Sequence, residues 1–232
     1  MHSFLVMEPI AETWRIVSSE FPFALWETLY ATLLATAMAT VIGLPLGILL
    51  VAGEKDGVLP LPKLVLQILN IVINILRSVP FIILMVLVIP LTRLIVGKAY
   101  GTMASVVPLV IAAFPFIARL VESSLREVDP NLIEMARSMG ATPMQIIVKV
   151  MLRESVPSLI SNLTIAITTI LGYTAMSGAV GGGGLGKLAI TYGYNRYMNG
   201  VMAAAVILLV VLVQLFQMLG TRAATKNDKR QR

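Results

Sequence analysis

The sequence predicts an all-α integral membrane protein with five transmembrane helices and a short helix pair in the loop between spans three and four. Of the 232 residues, 57% are apolar and only 13% are charged. Soluble domains are typically about 45–50% apolar and about 25% charged, so this composition excludes a water-soluble fold. The charged residues also leave long uncharged runs between them, and such runs are typical of transmembrane helices.

Four spans follow from uncharged runs that reach the roughly 20 residues needed to cross about 30 Å of hydrocarbon. The runs contain 26 residues after Glu27, 20 after Lys98, 32 after Glu154 and 25 after Arg196. Each run is bounded by charged residues on both sides, which are expected near the membrane surfaces.

The fifth apolar segment lies between Lys63 and Arg93 and is interrupted by Arg77. Its two uncharged pieces, of 13 and 15 residues, are each too short to cross alone, so we predict one long span that is bent at Pro80. The predicted organisation is an outer or interfacial segment at 1–23, a transmembrane domain at 24–220 and a basic tail at 221–232, with spans at 28–52, 64–92, 99–121, 155–178 and 197–220 and a cytoplasmic loop at 122–154.

Lysine and arginine residues in the loops predict the orientation of the chain. With the 119–154 loop inside, 12 basic residues lie inside and five lie outside, while Arg77 stays in the membrane. The positive-inside rule therefore places the N-terminus outside and the C-terminus in the cytoplasm. The aromatic residues agree, because these fall near the predicted outer ends of the spans: Trp14, Trp26, Tyr100, Tyr192, Tyr194 and Tyr197.

The composition also excludes several kinds of chemistry. The chain has no cysteine, and its one histidine is His2, which removes thiolate metal sites and most histidine acid–base chemistry. The predicted spans lack the paired acids that an intramembrane hydrolase would need. The 119–154 loop carries five basic and five acidic residues, so it offers no footprint for nucleic acid. The basic tail is typical of a segment that touches anionic lipid. We predict no catalytic, metal or cofactor site in this chain.

The 122–154 loop contains the signals of two short helices. Asp129-Pro130 is a good helix start, and the helix is expected to run to about Met139, because Gly140 can adopt the left-handed conformation that closes a helix. Thr142-Pro143 then starts a second helix in the same way. These residues alone leave open whether the pair covers the bundle or has a separate role. The predicted apolar faces are Leu132, Ala136 and Met139, and Met144, Ile147, Val150 and Met151.

The same loop carries a spaced pattern. Glu134-Met135-Ala136 is followed after three residues by Gly140 and, nine residues later, by Val150-Met151-Leu152. This pattern resembles the loop signature of ABC importer permeases, which is Glu-Ala-Ala, three residues, Gly, nine residues, Ile, any residue, Leu-Pro. Met135 departs from it, and so does Arg153 at the usual proline, although Pro157 can serve as the break after the second helix.

Further segments resemble the methionine-uptake ABC permeases of bacteria, and together they cover roughly residues 25–220. The segments are RSVPFIIL at 77–84, PFIAR at 115–119, GATPMQI at 140–146 and GYTAMSG at 172–178 with the glycines that follow. The resemblance implies the five-span fold of type I ABC importer permeases, and a permease subunit that moves L- and D-methionine across the bacterial inner membrane.

The resemblance also implies partners. The first loop helix would be a coupling helix that docks in a groove of a cytoplasmic ATPase. A second copy of the chain, two ATPase subunits that hold ATP and Mg²⁺, and an extracytoplasmic methionine-binding protein would complete the assembly. The coupling residues carried over are Leu132, Glu134, Ala136, Arg137, Met139, Gly140, Ala141, Thr142 and Pro143.

Two alternative functions remain open at this point. A permease for another amino acid or a small peptide would share the loop pattern. A secondary transporter driven by an ion gradient would need no ATPase, and copurification without an ATP-hydrolysing subunit would favour it.

A glycine run follows the fourth span and nearly spells a phosphate-binding loop before Lys187. Leu188 lacks the hydroxyl that would hold Mg²⁺, and a membrane span rather than a strand precedes the run, so a nucleotide site is excluded. The run is either a flexible connection or a mobile outer gate, and six glycines in residues 178–186 favour the gate. The predicted gate residues are Gly181, Gly182, Gly183, Gly184 and Gly186.

Five packed helices leave little lumen, so a solute path is expected between two copies of the chain. Arg77 would cost about 2.5–3.5 kcal/mol at the middle of the bilayer, which makes it either a functional residue or one that extends to the membrane surface. The predicted path residues are Arg77 and, on the fourth span, Tyr173, Met176 and Ser177.

Overall fold

The computed structural model describes residues 10–227, and all regular secondary structure in this part of the chain is helical. Three stretches depart from α-helical geometry: a 3₁₀ turn at Gly178–Val180 and π-helical turns at Ile146–Met151 and Ala189–Tyr194. The α-helices are α1 (Ile10–Ala52), α2 (Lys63–Ser78), α3 (Phe81–Leu87), α4 (Ile89–Val96), α5 (Thr102–Arg126), α6 (Pro130–Ser138), α7 (Pro143–Gln145), α8 (Leu152–Glu154), α9 (Val156–Ser177), α10 (Gly184–Leu188) and α11 (Asn199–Asn227).

Four stretches in the described residues are long and apolar enough to cross a bilayer, and the bent pair of α2 and α3 makes a fifth if it counts as one span. The four are Ala11–Ala52, Thr102–Arg126, Val156–Val180 and Asn199–Asn227. The predicted fold class, an all-helical membrane protein with a loop helix pair between spans three and four, is confirmed.

The membrane helices extend beyond several predicted boundaries. Helix α1 begins at Ile10, whereas the predicted first span begins at 28, so residues 10–23 continue the first membrane helix. Helix α11 runs to Asn227, past the predicted end at 220. Residues 1–9, with His2, and 228–232 lie outside the described part of the chain.

The second span bends where proline requires it. A proline ring clashes with a helical residue before it, and Val79 accordingly adopts extended angles of φ −80° and ψ 123°. The axes of α2 and α3 meet at 104°, which confirms the bend predicted at Pro80. A second break, at Val88, was not predicted. It precedes Pro90, whose missing N–H suits the first turn of α4.

The chain divides into two compact units, each of which is described by itself. The first unit consists of Met1–Ala35, Phe81–Leu109 and Thr169–Leu215. The second unit consists of Thr36–Pro80, Val110–Thr168 and Phe216–Arg232.

The core of the first unit contains hydroxyl groups as well as apolar side chains. Thr32 and Thr174 are buried and their hydroxyls share a hydrogen bond of 3.2 Å. Because hydrocarbon supplies no hydrogen-bond partners, such a pair satisfies two polar groups that water cannot reach. Leu171, Leu185 and Val201 fill the apolar core around the same helices.

The core of the second unit depends on close helix packing. Leu50, Ile73 and Ala118 form one buried cluster in it. Gly47 of α1 faces α5 so closely that a Cβ atom there would lie 2.6 Å from the carbonyl oxygen of Ala118. A glycine at this position lets two backbones approach, as small residues commonly do in membrane proteins.

Gly47→Ala is expected to destabilise the protein by about 1–3 kcal/mol, because the added methyl group forces α1 and α5 apart. The measurement is the thermal unfolding midpoint in detergent. Gly172→Ala is the matched control, since a Cβ atom there meets nothing within 4 Å. An unchanged midpoint in Gly47→Ala would show that the helix contact is not tight.

Candidate functional site

The first helix of the loop is closed at both ends by its own sequence. Asp129 adopts φ −59° and ψ 122°, and its carboxylate accepts a hydrogen bond of 2.9 Å from the N–H of Asn131. At the other end Gly140 has φ +78°. The N–H of Ala141 donates to the carbonyl of Ala136 over 3.1 Å, which completes a Schellman closure. Both predicted helix ends are confirmed.

The second helix starts with a capping box. The N–H of Gln145 donates to the hydroxyl of Thr142, and the N–H of Thr142 donates to the side-chain oxygen of Gln145 over 2.9 Å. The start at Thr142-Pro143 was predicted. The role of Gln145 in the capping box was not predicted, although the spacing Thr-x-x-Gln is a known capping signal.

The second helix continues as a π-helical turn from Ile146 to Met151, which the sequence did not predict. The wider turn changes which side chains face inward. Of the predicted apolar face, Ile147 and Met151 are buried, whereas Met144 is 65% exposed. Ile146, outside the predicted face, is also buried.

The loop helix pair, residues 130–154, leaves large apolar side chains uncovered. Met135, Met139 and Met144 are 54%, 72% and 65% exposed. Of the predicted stripe on α6, Ala136 is buried, Leu132 is half-buried and Met139 points away from the core. A helix pair that only covered the bundle would bury such groups, so this surface is available to a partner.

The other residues to which the resemblance assigns a coupling role lie around this surface. Glu134, Thr142 and Pro143 are exposed, and Ala141 is half-buried. The guanidinium of Arg137 donates to the carbonyl oxygen of Gly57 over 2.5 Å, which ties α6 to the chain that follows α1. The structure thus brings the nine predicted coupling residues into α6, the turn after it and the first residue of α7.

The glycine segment, residues 178–186, is held by side chains of α1. The N–H of Gly184 donates to the carboxylate of Glu27 over 2.9 Å, and the N–H of Leu185 donates to the hydroxyl of Thr28 over 2.9 Å. The hydroxyl of Thr102 donates to the same carboxylate. Glu27 was treated as the boundary of a span, and its acceptor role was missed.

The glycines of this segment supply space. A Cβ atom at Gly183 would lie 2.1 Å from the hydroxyl oxygen of Thr102, and one at Gly186 would lie 2.0 Å from the carbonyl oxygen of Ala175. Gly182, Gly183, Gly184 and Gly186 are buried and Gly181 is exposed. The close backbone approach expected of these residues is present, and the segment is packed in this conformation.

The residues that follow the glycine segment also contact α1. The hydroxyl of Tyr192 donates to the carboxylate of Glu20 over 2.5 Å. That hydrogen bond, more than burial, raises the pKa of Tyr192 above its ordinary value of 10.0. The guanidinium of Arg196 lies 4.8 Å from the centre of the same ring.

The predicted path residues occupy different environments. The rings of Tyr173 and Phe81 stack with centroids 4.7 Å apart, and Met176 is 49% exposed. Ser177 is completely buried and donates to the carbonyl of Thr174 over 2.7 Å, so it faces no open path in this conformation. Arg77 is exposed and belongs to the second unit, and its side chain makes no hydrogen bond or ion pair with the described residues.

A charged network in the second unit was missed by the sequence reasoning. The Arg119 guanidinium donates to Glu122 over 2.6 Å and to two asparagine side chains of α2. The signal that could have found it is the spacing of polar residues on α2, at every third or fourth position. The network is made of Glu54, Asn70, Asn74, Arg119, Glu122 and Arg126.

The second unit also holds an open cavity of about 480 Å³ at the ends of α5, α9 and α11. Its wall is rich in hydroxyl and amide groups. Asn162 donates to the hydroxyl of Ser124 over 2.8 Å within that wall. The polar residues at 155, 158, 161 and 162, spaced along one side of α9, are the signal that could have predicted it.

Glu27→Ala is expected to destabilise the protein by about 1.5–3 kcal/mol, because the N–H of Gly184 loses its charged acceptor. Of its hydrogen bonds to α1, the glycine segment would then keep only the one from Leu185 to Thr28. The thermal unfolding midpoint in detergent measures this change. Glu12→Ala removes the same charge from an exposed position of α1 and is the matched control. Equal midpoints for both variants would contradict the assigned role of Glu27.

Comparison with known proteins places the chain in a family. The model of the binding-protein-dependent transport system inner membrane component matches residues 43–231. A Vibrio cholerae protein named probable D-methionine transport system permease protein MetI is 48% identical over 224 residues, 95% of this chain and 98% of that protein. The Bacillus subtilis methionine import system permease protein MetP is 44% identical over 168 residues, 72% of this chain and 76% of that protein.

A solved structure supports the same conclusion. Inward facing conformations of the MetNI methionine ABC transporter include a chain that matches with a TM-score of 0.88 at 44% identity, covering 96% of this chain and 100% of that chain. The family match extends over most of the sequence. The chain therefore belongs to the family of binding-protein-dependent transport system inner membrane components.

Proposed function

We propose that this chain is the membrane permease subunit of an ATP-driven importer of methionine in the bacterial inner membrane. The similarity to methionine permeases over nearly the whole chain supports the substrate class. The observation that carries the mechanism is the loop helix pair, which keeps the side chains of Met135, Met139 and Met144 outside the core of the protein.

The loop helix pair is the surface that receives the ATPase. Its first helix is rigid, because Asp129 caps one end and Gly140 closes the other. Its exposed methionines lie beside Glu134, so the surface combines a flexible apolar patch with one negative charge. A groove with apolar walls and a basic residue is the complementary surface that an ATPase subunit would offer.

The complete importer contains two copies of this chain and two ATPase subunits, and a methionine-binding protein docks on the outer side. ATP and Mg²⁺ bind to the ATPase subunits, while this chain carries no ATPase site and no cofactor of its own. When the ATPases close, the rigid α6 transmits their movement to the membrane helices through Arg137 and the buried Ala136.

The N-terminus lies outside and the C-terminus in the cytoplasm. The distribution of lysine and arginine supports this orientation, with 12 basic residues in the inner segments against five in the outer ones. The loop helix pair then faces the ATPases, and the glycine segment faces the binding protein as an outer gate. The two hydrogen bonds from Gly184 and Leu185 to α1 hold that gate in its present position.

Glu134→Lys is expected to lower ATP-dependent methionine uptake by at least about tenfold, because a loss of about 1.4 kcal/mol at the docking surface already weakens binding tenfold. The measurement is the uptake of radiolabelled methionine by proteoliposomes that contain the ATPase and the binding protein. Glu127→Lys reverses an exposed charge outside the loop helix pair and is the matched control.

Two results would contradict the proposal at different points. Full uptake by Glu134→Lys, with normal membrane insertion, would remove α6 from the coupling mechanism. Failure of the unmodified importer to take up methionine, with uptake of another amino acid, would overturn the substrate and leave the coupling mechanism in place.

A further inference from the structure

The surface of helix α2 has three faces that differ in polarity and burial. Ile73 is completely buried and packs with Leu50 and Ala118. A second face is apolar and exposed, with Leu64, Val65, Ile68, Ile71, Val72 and Ile75. The third face, about 80° wide at 3.6 residues per turn, carries the polar side chains and is called the polar face of α2: Gln67, Asn70, Asn74 and Arg77.

The polar face runs deep into the hydrocarbon. Lys63 begins α2, and Arg77 lies about 21 Å further along the helix at 1.5 Å per residue, within a layer about 30 Å thick. Gln67, Asn74 and Arg77 are exposed on the single chain. Polar side chains at such depth face water or a polar partner, because lipid chains offer them nothing. The exposed apolar face of α2, in contrast, is compatible with contact with lipid chains.

The orientation of the two asparagines follows from their neighbour. One terminal nitrogen of Arg119 donates to the side-chain oxygens of Asn70 and Asn74, over 2.8 and 2.9 Å. A guanidinium group has donors only, so both amides must turn their oxygen atoms toward it. The side-chain nitrogen of Asn70 donates back to the carbonyl of Leu66. That of Asn74 has no acceptor in the described residues and stays free on the polar face.

The acidic residues near this face pair with arginines other than Arg77. Arg119 pairs with Glu122, and Arg126 pairs with Glu54 and Glu122. Arg77 pairs with no acidic residue of the described chain. Arg77 and Asn74 are three positions apart on one helix, where side chains are neighbours, so the polar face presents a guanidinium and an amide N–H together.

We propose that Asn74 and Arg77 bind the carboxylate of the transported amino acid, and that Arg119 is a positioning residue that keeps the amide N–H of Asn74 turned outward. A guanidinium beside an amide donor matches the two oxygens of a carboxylate. The proposal rests on the function proposed above, with the path between two copies of the chain, and it adds that the polar face of α2 borders that path.

The first experiment tests whether the polar face meets water. The chain has no cysteine, so single cysteines can be introduced without background. Gln67, Asn74 and Ser78 are replaced on the polar side, and Ile68, Ile71 and Ile75 on the apolar face, in the complete importer in membrane vesicles. A membrane-impermeant maleimide is expected to label the polar positions about tenfold faster, because thiolates form in water and not in lipid. Equal rates on both faces would overturn the proposal.

The second experiment tests the ligand. Labelling of Ser78→Cys is expected to slow severalfold when the importer turns over in excess methionine, and not with methionine amide, which lacks the carboxylate. Arg77→Gln and Asn74→Asp are expected to abolish this protection, whereas Lys63→Gln, which removes a charge at the other end of α2, retains it. Gln67→Cys gives the same measurement if Ser78→Cys does not assemble.

Three results separate the possibilities. Protection that persists in Arg77→Gln, or that methionine amide matches, would overturn the carboxylate assignment while methionine uptake still supports the permease. Arg119→Lys keeps the charge but replaces the two terminal nitrogens, which bond Glu122 and the two amides separately, with a single nitrogen, so it is expected to weaken protection without changing the labelling pattern along α2. An unchanged protection in Arg119→Lys would remove the positioning role. Loss of methionine uptake in the unmodified importer would instead overturn the function on which the proposal rests.

Discussion

Every polar group inside the hydrocarbon must find its partner within the protein or in a water-filled path, and this constraint explains most of the structure. Glu27 lies in the first membrane helix and meets the constraint by accepting the N–H of Gly184. Arg119 meets it through Glu122 and the two asparagines of α2. These partners join distant parts of the chain, so the same bonds that satisfy polar groups also fix the arrangement of the helices.

The loop helix pair follows the opposite rule. Outside the hydrocarbon, water satisfies polar groups and the costly feature is exposed apolar surface. Three exposed methionines on this pair therefore indicate a surface that a partner covers. The pair is short, yet its caps hold it rigid. A rigid element with an apolar outer face and a fixed contact between Arg137 and Gly57 is well suited to transmit movement from one protein to another.

The local features of the fold could be predicted because they depend on neighbouring residues. Uncharged runs predicted the spans, and the caps at Asp129, Gly140 and Thr142 predicted the ends of the loop helices. The bend at Pro80 follows from the geometry of proline alone. The π-helical turn at Ile146–Met151 was not predictable in this way, because no local signal marks a wider turn.

The long-range features of the candidate sites were missed for a different reason. Counting uncharged residues treats each charge as the end of a span, so Glu27 was taken as a boundary. Its partner lies 157 residues away, and no local pattern shows it. The same reasoning chose Ser177 as a path residue because it is polar, whereas its hydroxyl is satisfied within its own helix. The spacing of Asn70, Asn74 and Arg77 on α2 was visible in the sequence. The orientation of the two asparagine amides depends on Arg119, which no local pattern connects with α2.

The most direct test of the central claim is the accessibility of one thiol at Met139, which is 72% exposed on the loop helix pair. Met139→Cys in right-side-out vesicles is expected to resist a membrane-impermeant maleimide, and in inside-out vesicles it is expected to react only after the ATPase has been removed. Labelling from the outer side, or labelling that the ATPase does not block, would contradict the claim that this helix pair couples the membrane helices to ATP hydrolysis.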